Sequence, residues 1–430
     1  MDRLRHLTAA IAVLTAASLG GGGGAHAAPA HEAEHRASAV TLARAIEEGA
    51  RRGPAVVESS RNREAAADFA RRPGSALPSV PQATVMAGAR RPYNLPTGPE
   101  VSVTVQQEIS MRGLGSARRK AAEWAARAAA TEVERARVEG AATAALAWVD
   151  LLEAQELLQL RTTAADDAAR LARIAEVRVA SGVATAVERE LAKAEVGSAQ
   201  LAILDAEGRA TEARLALAHA TGGSFDGAIA ADGKLDGTDE SPPLDGRAVV
   251  DAIARHPAVR AADARASQAS AEGSVARATA GPSFSVGATM WREGSGDHAA
   301  AAIVSVPLPF FDPSRYDVGR QSTATTAAQS HAARLRSELE RETRLALHEH
   351  EHAREVRAKL RDGVVQPTRS ALDTAMTAYS AGTNDLGVVL LARRSALAAE
   401  ERLVMAMADV WRADIRLSAL AGTLLKDGAR

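Results

Sequence analysis

Two stretches of this 430-residue chain carry the pattern H-E-x-x-H, "HEAEH" at 31–35 and "HEHEH" at 348–352. On a helix the outer histidines of such a pattern stand four residues apart on one face. That spacing lets a zinc hydrolase supply two ligands, with the glutamate after the first histidine as base. His348 and His352 are therefore candidate metal ligands, and Glu349 the matching base. Catalysis would also need a third ligand, a substrate cleft and groups that orient the ligands. No histidine follows His352 in the chain, and the first match lies in a polar N-terminal stretch. The alternative is a solvated helical face of Glu, His and Arg, with metal contact that is weak or tied to transit.

A second pattern, "RGLGSARR" at 112–119, places Gly-x-Gly where a strand hands over to a helix. Arg118 occupies the third glycine position of a dinucleotide loop, and no alternation of strands and helices surrounds it, so Gly113 reads instead as a strand-to-helix joint. No G-x-S-x-G, Walker or EF-hand spacing occurs, and the absence of cysteine removes thiolate chemistry and disulfides. Neither an enzyme nor a cofactor is expected.

The elements that would position these residues are long helices. Alanine is abundant and aromatics make up only 3%, so surface is buried best by bringing helix backbones close together. A net charge of −1 offers no basic face for nucleic acid. Arg3 and Arg5, an apolar run and Ala25-His26-Ala27 read as a secretory signal peptide over 1–27, followed by a linker at 28–40. No later window reaches the run of about 18 apolar residues that a spanning helix needs, so any membrane span must be made of strands.

The chain is duplicated. Pro54-Ala55-Val56 matches Pro257-Ala258-Val259, "VTV" at 103–105 matches "VSV" at 304–306, and Gly182, Leu191, Ala213, Leu217 and Gly222 recur 200 residues on as Gly382, Leu391, Ala413, Leu417 and Gly422. The repeats are 41–222 and 244–422, with a Gly/Asp/Pro-rich linker at 223–243 and a tail at 423–430. Each predicts a helix (41–72, 244–279), two strands (77–90 and 100–111; 282–292 and 299–310) and an antiparallel pair of long helices. The first limbs, 116–180 and 318–380, would each reach about 100 Å, and they turn back at Gly182 and Gly382. A seven-residue apolar step through Val389, Ala396, Leu403, Val410 and Leu417 marks the last limb as a coiled-coil strand.

Half of the chain's twelve aromatics lie around the four strands, as at a membrane interface. Within "IVSVPLPFFDP" at 303–313, Pro307 and Pro309 cannot donate to a ladder, and they mark where the last strand stops and a helix begins. Four strands leave two open edges, which hydrocarbon does not tolerate, so several chains must share one barrel. Two copies would give eight strands and a filled lumen, three would give twelve and a channel.

The signal peptide, the duplicated order and the glycine-bearing tips together resemble the TolC-like outer-membrane efflux channels over 41–422. "YSAGTNDLGVVLLARRSALAAEERL" and "RVASGVATAVERELAKAEVGSAQL" look like that family's periplasmic tip and returning helix. "QQEISMRGLGSARRKAA" and "SVPLPFFDPSRYDVGRQ" look like its heavy-metal-cation, CzcC-like branch. The resemblance implies a mainly α homotrimer with a shared twelve-stranded barrel and a helical tunnel across the periplasm of a Gram-negative cell. It implies docking on a periplasmic adaptor and an inner-membrane pump, and passive export of divalent heavy-metal cations. It places Gly182, Glu188, Glu190, Gly382, Asp385, Arg393 and Arg394 at the tip, for gating and adaptor docking or as interhelix pairs; the alternative for the charged ones is the solvated flank of a coiled coil. Two departures follow from the residues: no cysteine is present for a lipid anchor, and Val388 and Leu391 stand where some members narrow the tip with aspartates. The alternatives are a soluble periplasmic coiled-coil adaptor and, more distantly, a metal-dependent hydrolase.

Overall fold

A computed structural model describes residues 38–72, 77–90, 93, 98–225, 229–237, 252–307 and 314–427. The signal peptide, His31, His35, Pro309, Phe310, Phe311 and parts of the inter-repeat linker (226–228 and 238–243) lie outside the described residues. The first expected helix is two helices, α1 (Leu42–Arg52) and α2 (Pro54–Arg71). Gly53 breaks the run with extended ψ, and Pro54 restarts it at the first helical position, where a missing N–H costs nothing. Strands β2 (Gln82–Arg90) and β3 (Gly98–Ser110) follow, then α3 (Leu114–Ala180) and α4 (Ala186–Ala220). The second repeat supplies α5 (Pro257–Thr279), β5 (Ser283–Arg292), β6 (His298–Ser305) and α6 (Ser314–Leu360). The limb expected to run unbroken over 318–380 is interrupted by a π-turn at Arg361–Val365 before α7 (Gln366–Ser380). Pro367 is the reason: it has no N–H, and its ring clashes with the carbonyl four residues back, so the helix widens there. The returning helix is α8 (Leu386–Ala421).

The four long strands form one antiparallel sheet in the order β2-β3-β5-β6. Its register sorts the side chains by face. Val85, Val103, Met290 and Ala300 stand in one cross-strand row and Ala83, Val105, Ala288 and Ala302 in the next, on a face that is open in the single chain. The opposite face carries Thr84, Thr104 and Thr289, with Gln106 and Ser102 on the same side, and the Thr104 and Thr289 hydroxyls are 2.9 Å apart. β6 ends at Ser305, two residues before Pro307, and both β2 and β6 are unpaired edges among the described residues. No helix among the described residues is long and apolar enough to cross a membrane.

The helices pack on α3, which runs along α2 and α5 near the sheet and along α4 and α8 beyond it. Contact is close because side chains are small: a Cβ on Gly49 of α1 would lie 2.5 Å from Gly140 O, so the two backbones meet directly. At mid-length α3 is belted by a parallel ladder of β1 (Ser38–Val40) and β4 (Ile229–Ala231). Trp148 donates from Nε1 to Val40 O at 2.6 Å, stacks edge-on against Trp411 at 6.0 Å, and Trp411 donates to Leu235 O at 3.0 Å. Burying side chains of this size contributes about 1.5–3 kcal/mol each, which fixes the middle of the bundle. A second apolar cluster of Leu171, Ala175, Tyr379, Leu386 and Val389 lies near the far end.

Candidate functional site

The two helical hairpins end in the same local chemistry. Gly182 (φ 73) and Gly382 (φ 80) adopt the left-handed conformation that only glycine takes without strain. Val183 N–H donates to Arg178 O and Thr383 N–H to Ala378 O, both at 2.9 Å, closing each first limb. Each return begins with a side-chain cap. Thr185 and Glu188 form a reciprocal capping box, and Asp385 accepts the Val388 N–H at 3.1 Å. Asp385 is thus engaged at its own helix start.

Between the tips, Tyr379 is fully buried. The Arg178 guanidinium lies 4.3 Å over its ring and donates to its backbone carbonyl. The phenol donates to Glu188 Oε2 at 3.3 Å, so α3, α4 and α7 converge on one side chain. Burial, and then the charge on Glu188, push the phenol pKa up. Further along α4, Glu195 holds both Arg393, which is buried, and Arg394 at 3.0 Å, while Arg393 also donates to Ala164 O on α3. Arg161 continues the series to Glu401 at 3.0 Å, and Arg412 reaches Asp150 at 2.7 Å and also Glu153, whose pKa burial pushes up. These bonds tie α3 and α4 of the first hairpin to α7 and α8 of the second.

Glu188, Arg393 and Arg394 are therefore brought into one polar seam, whereas Glu190 points outward and is held below the usual carboxylate range by Arg189 and Lys193. Tyr379 and Glu195 belong to the seam and were missed by sequence reasoning. The signal for Glu195 was its seven-residue step from Glu188 on the same helix. Val388 and Leu391 are exposed at the tip. A groove of about 1030 Å³ opens between α3, α7 and α8 above it, lined by Gln159, Asp167, Arg369 and Met376 among others. Gly113 (φ 64) sits at the start of α3 as a left-handed joint, its carbonyl accepting the Ser116 hydroxyl at 2.7 Å. His348 and His352 are exposed on α6, and no group of three or more His, Cys, Asp or Glu suited to a metal occurs among the described residues.

Residues 77–223 and 248–423 match the model of the outer membrane efflux protein family, which reaches most of each repeat. The chain belongs to that family. It is similar to the cobalt-zinc-cadmium resistance protein CzcC of Cupriavidus metallidurans, 26% identical over 315 residues, covering 73% of this chain and 75% of that protein. The outer-membrane channel OprN shares its fold with a TM-score of 0.71 at 17% identity, covering 89% of this chain and 90% of that one. The CmeC outer membrane channel of Campylobacter jejuni gives 0.72 at 16% identity, over 89% and 85% of the two chains. CusC gives 0.64 at 17% identity, over 88% and 91%.

As a member of the efflux family the chain is an outer-membrane channel that reaches into the periplasm, a passive conduit and not an enzyme. Family members act as trimers in tripartite systems, and three sheets of four strands close one barrel. The exposed valine and alanine face then meets lipid, and the Thr/Gln face lines the lumen, the alternation that a membrane barrel requires. Family membership sets aside the soluble adaptor and the hydrolase.

Proposed function

We propose that this channel exports divalent heavy-metal cations, delivered by an inner-membrane pump through a periplasmic adaptor. The observation that carries the substrate class is the similarity to a cobalt-zinc-cadmium resistance protein along three quarters of that protein's length. The pump supplies the energy, because a water-filled barrel with threonine and glutamine walls offers a path and no coupling chemistry. We infer that the tip is the gate. Closed, the hairpins are held by Tyr379, Glu188, Glu195 and Arg393, with Gly182 and Gly382 as fixed turns. Opening separates the α7–α8 hairpin from α3 and α4, breaking these bonds in favour of water. Glu190 and Arg394, both exposed near the tips, and the groove above them are the surface offered to the adaptor.

The test is deletion of the gene in its host, with growth scored against cobalt, zinc and cadmium and against a panel of organic antibiotics. Loss of cation tolerance, restored by the gene on a plasmid, is the expected outcome. Sensitivity to the antibiotics with unchanged cation tolerance overturns the substrate class and leaves a general efflux channel.

A further inference from the structure

The stretch "HEHEH" divides its three histidines between two faces of α6. A rotation of about 100° per residue sends alternate positions to nearly opposite sides. His350 is buried and turns toward α8, where its Nε2 lies 2.7 Å from Oδ1 of the half-buried Asp414. Burial raises the Asp414 pKa against the pull of His350. That histidine is committed to packing. His348 and His352 stand on the other side, both exposed, with ring centroids 6.1 Å apart and planes at 20°. The two imidazoles already face the same way one turn apart, so a small change in side-chain torsions brings a nitrogen from each to one ion. Glu351 and Glu355 lie on the same exposed side, and Glu355 is bonded by Lys359 at 2.6 Å, which holds its pKa down.

We propose that His348 and His352 form a two-imidazole site for borderline divalent cations such as zinc, cobalt or cadmium on the helical wall. Imidazole donors prefer these ions to magnesium or calcium, which take oxygen ligands. With no third ligand assembled among the described residues, water completes the coordination. An ion so held exchanges quickly, which suits a surface that cations pass and would not suit storage. The site deepens the cation-export reading and draws its purpose from it, but the binding itself stands on the geometry of the pair.

The experiment uses the full chain purified as a detergent-solubilised trimer. Zinc at micromolar concentration is equilibrated by dialysis against the wild type, the His348→Ala/His352→Ala double variant and a His331→Ala control on the same helix. The double variant should lose about one zinc per chain relative to wild type, since two imidazoles make one site. The control should lose none, and millimolar magnesium should not compete. Binding should weaken on acidification, because protons compete with the ion for the imidazole nitrogens. Equal zinc on wild type and double variant overturns the proposal, as does a wild-type trimer that binds none. Both substituted side chains are exposed, so the trimer should persist; if it does not, His348→Gln and His352→Gln replace the alanines at nearly conserved size. Zinc binding in a host whose cation tolerance ignores the gene keeps the site and removes the export reading. A double variant that restores tolerance yet binds no zinc does not overturn export, and it shows the site to be dispensable for it.

Discussion

At the scale of single residues, the tip rests on two kinds of bond with different energetics. The Tyr379 hydroxyl donates a hydrogen bond to Glu188, a contact whose loss typically removes only about 0.5–1.5 kcal/mol, more when the acceptor is charged. Phenylalanine in its place keeps the buried ring and the Arg178 contact over it. Arg393 is a buried cation whose carboxylate partner is Glu195, and removing one member of such a pair costs about 3–5 kcal/mol because the other charge stays buried. Arg393 keeps its bond to Ala164 O in either case, so the guanidinium stays in the bundle without its carboxylate. Glu195→Gln should therefore loosen the closed tip far more than Tyr379→Phe. Single-channel recording in planar bilayers measures this directly: Glu195→Gln should raise mean conductance several-fold and Tyr379→Phe only slightly. Wild-type conductance in Glu195→Gln would make the pair scaffolding and place the gate elsewhere.

At the scale of elements, the sheet register assigns every strand position to lipid or lumen, and neighbouring residues separate the two environments. Val103 lies mid-strand in the apolar row and Thr104 in the threonine row. A lysine facing lipid near the midplane costs about 2–4 kcal/mol, and far less in a watered lumen. Val103→Lys should thus lower the heat stability of the barrel and its yield in the outer membrane. Thr104→Lys should assemble normally and shift ion selectivity toward anions; equal yields of the two would contradict the facing. Elements of this kind were legible in the sequence because their signals are local. Glycine at 182 and 382 and the seven-residue step of the last limb act within a turn or two of helix. The parallel ladder of β1 and β4 was not legible, since it joins two three-residue strands from opposite ends of the first repeat. The break at Gly53 and the π-turn before Pro367 were not legible: 41–72 and 318–380 each read as one continuous helix. Tyr379 and Glu195 escaped because their roles depend on how two hairpins align, which no single periodicity records.

At the scale of the whole molecule, one apolar seam has no partner within the chain. Val187, Ala194, Leu201, Gly208 and Leu215 recur every seven residues on α4, and Val187, Leu201 and Leu215 are 66%, 65% and 67% exposed, with Leu204 beside them at 62%. The opposite side of α4 is satisfied, burying Ala192, Ala206, Ala210 and Leu217 against the bundle. A seven-residue apolar step left open along 35 residues is a coiled-coil face awaiting another helix. In a trimer a helix of the neighbouring copy would cover it, and the cyclic arrangement would repeat the contact three times. Each leucine covered contributes about 1.5–3 kcal/mol, so replacing two of them on every copy removes a large share of what holds the helical section together. The sheet contributes separately, through backbone bonds between β2 and β6 of adjacent chains. Leu201→Asp/Leu204→Asp should therefore yield a chain that folds, keeps its helical circular dichroism and still inserts, but whose trimer band on a gel dissociates at a markedly lower temperature. Dissociation at the wild-type temperature would mean that the α4 seam lies open in the assembled channel, and the contact between copies would have to be sought on α6 and α7.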